Sequence, residues 1–155
     1  MIDDSVRYRH RQIGYLTILG LASGGLSQLG AAARDLRAGR RRVRSYLPGS
    51  LVFLASMATI SSLTTEVTDD SIAAWFTCGL FRRRVALADV TQASVVTIPW
   101  YAGWGLRYSG GGWLYCVWGR QAGRLTLADG HAFTIGSDEP ELLQMAIEEA
   151  RAAIA

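Results

Sequence analysis

The feature that most constrains this chain of 155 residues is a pair of long segments without any charged side chain, residues 13–33 and 45–65. A helix rises about 1.5 Å per residue, so the first segment reaches roughly 30 Å, the thickness of a bilayer core. Small residues recur in it at Gly20, Gly24 and Ala31, where they let helices approach closely. We predict a transmembrane helical hairpin over residues 13–64, with helices at 13–33 and 47–64.

Two other interpretations of the hairpin stay open at this stage. The first segment fits a signal peptide with Arg7, Arg9 and Arg11 as its basic start and the alanines at 31–33 as its cleavage site. The second segment would then be a single anchor. Both segments also fit a buried helical hairpin of a soluble protein.

The loop that joins the two predicted helices, residues 34–46, is rich in arginine, with six arginines between positions 34 and 44. It is either a solvated turn or a loop that stays in the cytoplasm and attracts anionic headgroups. The predicted N-terminal tail, residues 1–12, carries only three arginines. This distribution favours an extracytoplasmic C-terminal domain. The candidate contacts of the loop with a partner or with lipid are Arg40, Arg41 and Arg42.

From Thr65 onwards the pattern changes to short strand-like segments with turn signals every eight to twelve residues, about seven strands in all. The Asp129-Gly130 pair predicts a tight hairpin between two of them. The last twenty residues predict an amphipathic helix with Leu143 and Ile147 on its apolar face. That face has to pack on the sheet, so we predict one domain over residues 65–155.

Three stretches of this domain resemble the bacterial pleckstrin-homology-like (PH-like) domains that follow transmembrane helices in small envelope proteins. They are CGLFRRRVALADV at 78–90, AGWGLR at 102–107 and LADGHAFTIGSDEPELL at 127–143. The resemblance implies an α+β fold, with two N-terminal transmembrane helices followed by a seven-stranded PH-like β-barrel or sandwich capped by the C-terminal helix. It also implies the bacterial cytoplasmic membrane, with such domains often on the cytoplasmic side, and it implies no activity.

The stretch from Trp100 to Gly119 contains seven aromatic residues. Alternation in WLYCVW predicts a strand whose two faces are mostly core. Trp104, between two glycines, either closes one end of the barrel or is an exposed anchor for a partner or the lipid interface. Arg107 pairs either with an acidic neighbour or with a phosphate. Arg82 and Arg84 share one face of a predicted strand, as solvated side chains or as further candidate contacts.

Chemistry-bearing patterns are few. The two histidines and the two cysteines show no metal-ligand spacing, and no serine sits in a nucleophile motif, so we predict no metal, no cofactor and no enzyme. Cys78 and Cys116 are either free thiols or one disulfide. The net charge is +3, with +6 in residues 1–64 and −3 in residues 65–155. Basic residues beside apolar segments favour a membrane over nucleic acid.

The sequence therefore predicts a membrane-anchored, non-catalytic PH-like interaction module that binds a protein partner at the membrane. The alternative is a protein that binds or senses anionic lipid through the Arg-rich loop and the GWGLR loop. No residue pattern sets an oligomeric state.

Overall fold

The computed structural model describes residues 6–39 and 43–154, which form nine β-strands and three α-helices. The helices are α1 (Tyr15–Arg37), α2 (Val43–Ile60) and α3 (Pro140–Ile154). The strands are β1 (Val6–Ile13), β2 (Ser62–Thr68), β3 (Ser71–Phe76), β4 (Arg83–Ala86), β5 (Val90–Thr97), β6 (Gly105–Ser109), β7 (Gly112–Cys116), β8 (Gln121–Leu127) and β9 (Ala132–Gly136).

The strands form two sheets. Sheet A has the order β1-β2-β3-β4, with every neighbouring pair antiparallel. Sheet B has the order β5-β8-β9-β7-β6, and its β7 and β9 run parallel while the other pairs are antiparallel. In sheet A, Ile13 at the end of β1 lies opposite Ser62 at the start of β2. The helical hairpin of α1 and α2 is therefore inserted between two paired strands.

The main core lies between the sheets and is closed by α3. The ring of Tyr115 contacts Phe76 and Phe133, each with centroids 5.2 Å apart. Leu143 and Ile147, the apolar face predicted for the C-terminal helix, are buried in this core. Alternation along β7 is as predicted, because Tyr115 faces the main core while its neighbours Leu114 and Cys116 form a second buried cluster.

The two helices of the hairpin pack tightly on each other, but their outer surface is not covered by the rest of the molecule. The packing is close, since a Cβ at Gly24 would lie 2.6 Å from the ring of Phe53. The hydroxyl of Tyr46 donates to the Asp35 carboxylate near the tip of the hairpin, at 3.1 Å. The outward surface is apolar and uncovered. Its exposed large side chains are Tyr15, Leu16, Leu19, Leu26, Leu29, Leu36, Leu47, Leu51, Val52 and Leu54.

The prediction of a seven-stranded barrel is wrong. All seven predicted strands exist, but two more pair with them, and the nine strands form two sheets of four and five. β1 comes from the predicted N-terminal tail, whose Arg7, Arg9 and Arg11 alternate with inward-facing residues. β6 comes from the predicted loop around Trp104, where the backbone pairs along β7.

The prediction of two transmembrane helices is also wrong. Within the described ranges, α1 is the one helix whose length and composition suit a membrane span. α2 begins at Val43, before the predicted start at residue 47, and its most apolar run covers only Leu51–Ile60. The chain enters β2 at Ser62, inside the predicted second helix. The apolar run is thus well below the roughly 20 residues that a span needs.

Candidate functional site at the base of the helical hairpin

Hydrogen bonds fix the base of the hairpin to both sheets. The Gly14 amide at the start of α1 donates to the carbonyl of Ser61 after α2, at 2.8 Å. The Thr17 hydroxyl donates to the carbonyl of Val117, next to sheet B. The hydroxyls of Ser61 and Thr77 lie 2.9 Å apart, next to sheet A. The two helices therefore leave the domain at a defined position.

Where α1 leaves the domain there is an open pocket of about 470 Å³, which we call the basal pocket. Leu16 of α1 forms one wall, and the segments before β6 and after β7 form the rest. Trp100, at its rim, is 81% exposed, and the adjacent Tyr101 is 72% exposed. The lining residues are Leu16, Ile98, Pro99, Trp100, Gly103, Trp104, Trp118, Gly119 and Arg120.

Trp104 lines this pocket and is 43% exposed. Its indole Nε1 donates to the carbonyl of Gly119 at 3.4 Å, which orients the ring along the pocket wall. The glycines on both sides have positive φ, +66° at Gly103 and +105° at Gly105. A side chain strongly disfavours these conformations, so the glycines allow the tight path that presents the indole.

Arg107 lies next to the pocket on β6. Its guanidinium packs over Gly103, where a Cβ would come within 2.9 Å of Nη2. Its side chain is exposed, and no carboxylate among the described residues forms an ion pair with it. Of the sequence-predicted contacts, Trp104 therefore lines the pocket, and Arg107 packs on Gly103 beside it.

The other predicted contacts lie on sheet A. The Cζ atom of Arg82 sits 4.5 Å from the ring centre of Trp75. Arg84 donates from Nη2 to the carboxylate of Asp70 at 3.1 Å and from Nε to the Ser71 hydroxyl at 2.7 Å. Hydrogen bonds from Thr68 and Ser71, and then Arg84, hold the pKa of Asp70 below its ordinary value. The predicted contacts Arg40, Arg41 and Arg42 lie outside the described residues.

Several residues at the base were not predicted as contacts. Leu16, Trp100 and Tyr101 belong to the pocket region, and Arg9 and Arg11 point outward from β1. The two arginines could have been predicted from the sequence, because their spacing of two residues places them on one face of a strand. The proximity of Leu16 to Trp100 could not have been predicted, because it depends on how α1 docks on sheet B.

Histidine and cysteine side chains are the remaining candidates for chemistry. His10 lies 2.7 Å from the Asp138 carboxylate, which ties β1 to the segment before α3. The described part of the chain has no group of three His, Cys, Asp or Glu residues that could hold a metal ion. Both cysteines are free, with Cys78 exposed and Cys116 buried. Burial raises the pKa of the Cys116 thiol to about 11.

Comparison with models of known protein families and with curated proteins gives no match to this chain. The resemblance to PH-like domains therefore stays a prediction.

Proposed function

We propose that this protein is a membrane-anchored, non-catalytic module whose hairpin is buried in the bilayer and whose β domain rests on the membrane surface. The observation that carries the proposal is the uncovered apolar surface of the hairpin. Only 6% of the most apolar window of α1 is buried inside the molecule. Monomeric soluble proteins rarely expose an apolar surface of this extent, and a larger one marks an interaction site or a membrane-contacting surface.

The topology of sheet A limits how the hairpin enters the bilayer. Ile13 and Ser62 are paired, so both ends of the hairpin lie on the same side of the membrane. A single crossing between them is excluded, so the hairpin enters and leaves the bilayer on the same side without crossing it. Removal of α1 as a signal sequence would also remove β1, whose Gln12 is buried and donates to the Trp118 carbonyl at 3.5 Å.

Aromatic side chains at the base support the proposed depth of the domain. Tyr15, Trp100 and Tyr101 are exposed on the side of α1. Leu80 and Phe81 are exposed on the side of α2, in the loop that Thr77 ties to the base. Tyrosine and tryptophan are enriched at the membrane–water interface, because the ring is apolar and its polar atom reaches water. Tyr15, Trp100 and Tyr101 are then interfacial anchors, and Leu80 and Phe81 are apolar contacts with the bilayer.

A second candidate function is binding of a protein partner at the membrane through the basal pocket. The pocket is concave and combines apolar walls with Arg120 at its rim. A flat lipid surface requires no such recess, whereas an inserted side chain of a partner does. A variant with Trp104→Ala is expected to lose a partner held in this way while keeping its attachment to the membrane.

The side of the membrane follows from the arginines and from the length of α2. The extracytoplasmic position predicted for the C-terminal domain requires that both helices cross the bilayer, and the apolar run of α2 is too short for that. Arg34 and Arg37, in the last turn of α1, are then on the same side of the membrane as the β domain. Arginines close to membrane helices stay on the cytoplasmic side, so the domain is cytoplasmic. A reporter that is active only outside the cytoplasm, fused after Ala155, is expected to be inactive in the membrane fraction, and an active fusion contradicts this orientation.

The membrane proposal is tested by carbonate extraction of membranes that contain the full chain. The wild-type protein is expected to stay in the pellet, and Leu19→Asp/Leu26→Asp is expected to shift to the supernatant. The matched control is Leu142→Asp/Met145→Asp, which places two carboxylates at exposed apolar positions of α3 and should stay in the pellet. Extraction of the wild-type protein, or equal behaviour of both double variants, contradicts the proposal.

A further inference from the structure

The outer face of sheet A carries arginines on its two edge strands and the loop beside one of them. Arg7, Arg9 and Arg11 occupy alternate positions of β1 and point away from the core. Arg82 and Arg84 flank Arg83 at the start of β4, and Arg83 turns inward, with Cζ 5.5 Å from the ring centre of Phe133. Five arginines therefore share one face of the sheet.

At the end of this face far from the hairpin, the charges are neutralised in pairs. Arg7 forms an ion pair with Asp69, and Arg84 with Asp70. Both carboxylates belong to the turn between β2 and β3. This end of the sheet is thus close to electrically neutral.

Towards the hairpin the balance becomes positive. Arg9 and Arg82 share one carboxylate, that of Glu66, at 3.8 Å and 3.9 Å. Arg11, which lies one step nearer the base opposite Thr64, forms no ion pair with any residue in the described ranges. The net positive charge of the face is therefore concentrated at the base of the hairpin.

A groove of about 380 Å³ lies at this position, which we call the arginine groove. Arg9 and Arg11 form one side, and Trp75 lies beneath Arg9 and Arg82, with their Cζ atoms 5.9 Å and 4.5 Å from its ring centre. Stacking on the ring limits the rotation of both guanidiniums before any ligand arrives. Hydroxyl groups complete the groove, from Ser62, Thr64 and Thr77.

The groove is next to the end of α2. The Thr77 hydroxyl accepts a hydrogen bond from the Ser62 amide at 3.1 Å, directly after the hairpin. The adjoining loop exposes Leu80 and Phe81, and it holds Cys78 at a φ of +59°. If the hairpin lies in the bilayer, the mouth of the groove is at the level of the headgroups.

We propose that the arginine groove binds the phosphate of an anionic phospholipid. This inference rests on the proposed membrane function. Guanidinium groups bind phosphate oxygens through two parallel hydrogen bonds, and hydroxyls supply further donors. The position of the groove beside the hairpin selects a lipid phosphate over a soluble one, because the protein holds the groove at the headgroup layer permanently. The lipid phosphate is then the anionic partner of Arg11, which forms no ion pair within the described ranges.

The test uses the purified full chain in micelles of a nonionic detergent and calorimetric titration with short-chain lipids. Dihexanoyl-phosphatidylglycerol is expected to bind, and dihexanoyl-phosphatidylcholine and inorganic phosphate are expected to bind at least about tenfold more weakly. Arg11→Gln should weaken phosphatidylglycerol binding about fivefold, the effect of one arginine near an anionic surface. The matched control is Arg124→Gln, at an exposed position of β8, which should bind like the wild type.

Three results overturn the inference. They are equal binding of the two lipids, binding of inorganic phosphate as tight as that of phosphatidylglycerol, and equal affinity of the Arg11→Gln and Arg124→Gln variants. Reconstitution of the same protein in pure phosphatidylcholine vesicles separates the two proposals. If the protein resists carbonate there but Arg11→Gln binds like the wild type, only the groove inference fails. If the wild type is extracted, the membrane proposal itself fails.

Discussion

The helical hairpin and the β domain use apolar side chains in opposite ways. In the domain, large side chains such as Phe76 and Phe133 are almost completely buried between the sheets and α3. In the hairpin, Leu26 remains 68% exposed although α2 runs beside it. The domain thus supplies its own apolar environment, whereas the hairpin, on our proposal, takes its apolar environment from the bilayer. The contrast shows that apolar content alone does not tell whether a helix is covered by the rest of the molecule, and that the exposure of its side chains has to be known.

The largest effect on the domain is expected for Gly112→Ala at the start of β7. A Cβ there would lie 1.9 Å from the Ala132 carbonyl oxygen, so the parallel pairing of β7 with β9 has to open. We expect a loss of roughly 4 kcal/mol or failure to fold. The control is Gly110→Ala in the adjacent turn, where φ is +60° and the space is open, with a cost of about 1 kcal/mol. Denaturant unfolding in nonionic detergent measures both, and equal losses contradict the assigned register.

The second prediction compares one side chain from each region. Ile147 of α3 is fully buried, and its truncation to alanine removes methyl groups from the core. We expect Ile147→Ala to lower the free energy of unfolding by about 3 kcal/mol. Leu26→Ala in the hairpin should change the unfolding of the β domain by less than about 0.5 kcal/mol. Near-ultraviolet circular dichroism of the aromatic core reports the transition, and similar losses for both variants would show that Leu26 belongs to the same core.

The two cysteine thiols also differ in burial, and their rates of labelling measure that difference. Cys78 is exposed, while the pKa of Cys116 is raised by burial to about 11. Because the thiolate is the reactive form, labelling of Cys116 at pH 8 is expected to be at least roughly a hundredfold slower than that of Cys78. Mass spectrometry after a timed reaction with a maleimide should find one label, on Cys78, and a second only after unfolding. Rapid labelling of both thiols would contradict the burial of Cys116.

The smallest effect is expected at the far end of sheet A. The Asp70 pKa is lower in the folded protein than in the unfolded chain, so the unfolded state binds more protons in acid. The contribution of Asp70 to stability is present above the unfolded pKa, about 3.9, and is lost as the pH falls through the lower folded value. Asp70→Asn should therefore flatten the loss of stability below pH 4. An unchanged acid profile would show that the bonds from Thr68 and Ser71 do not favour the charged carboxylate.

Local patterns were sufficient for much of the domain. The seven predicted strands and the C-terminal helix depend on alternation, turn residues and one apolar stripe, which neighbouring residues determine. β1 was missed because its inward residues Tyr8, His10 and Gln12 all carry polar groups, so the segment shows no aliphatic residues at alternate positions. Its partner β2 follows the whole hairpin in the sequence, and only the tertiary fold brings them together.

In the candidate site, too, some residues could be predicted from local sequence and others depend on tertiary contacts. Trp104 and Arg107 were identifiable because the sequence places them at two closely spaced glycines, which in the structure have positive φ. The rest of the basal pocket could not be predicted, since Leu16 reaches it only through the docking of α1 on Val117. The arginine groove likewise depends on the pairing of β1 with β2, which converts a basic segment into one face of a sheet.

The most direct test of the account is the environment of residue 26 in reconstituted vesicles. Cys78→Ser leaves only the buried Cys116, and Leu26→Cys or Arg124→Cys then supplies one exposed site for a nitroxide label. Oxygen concentrates in lipid and a nickel chelate stays in water, so their collision rates with the label report its surroundings. If the hairpin is buried in the bilayer, position 26 has high oxygen and low nickel accessibility, and position 124 has the reverse. High nickel accessibility at position 26 would contradict the burial of the hairpin in the bilayer.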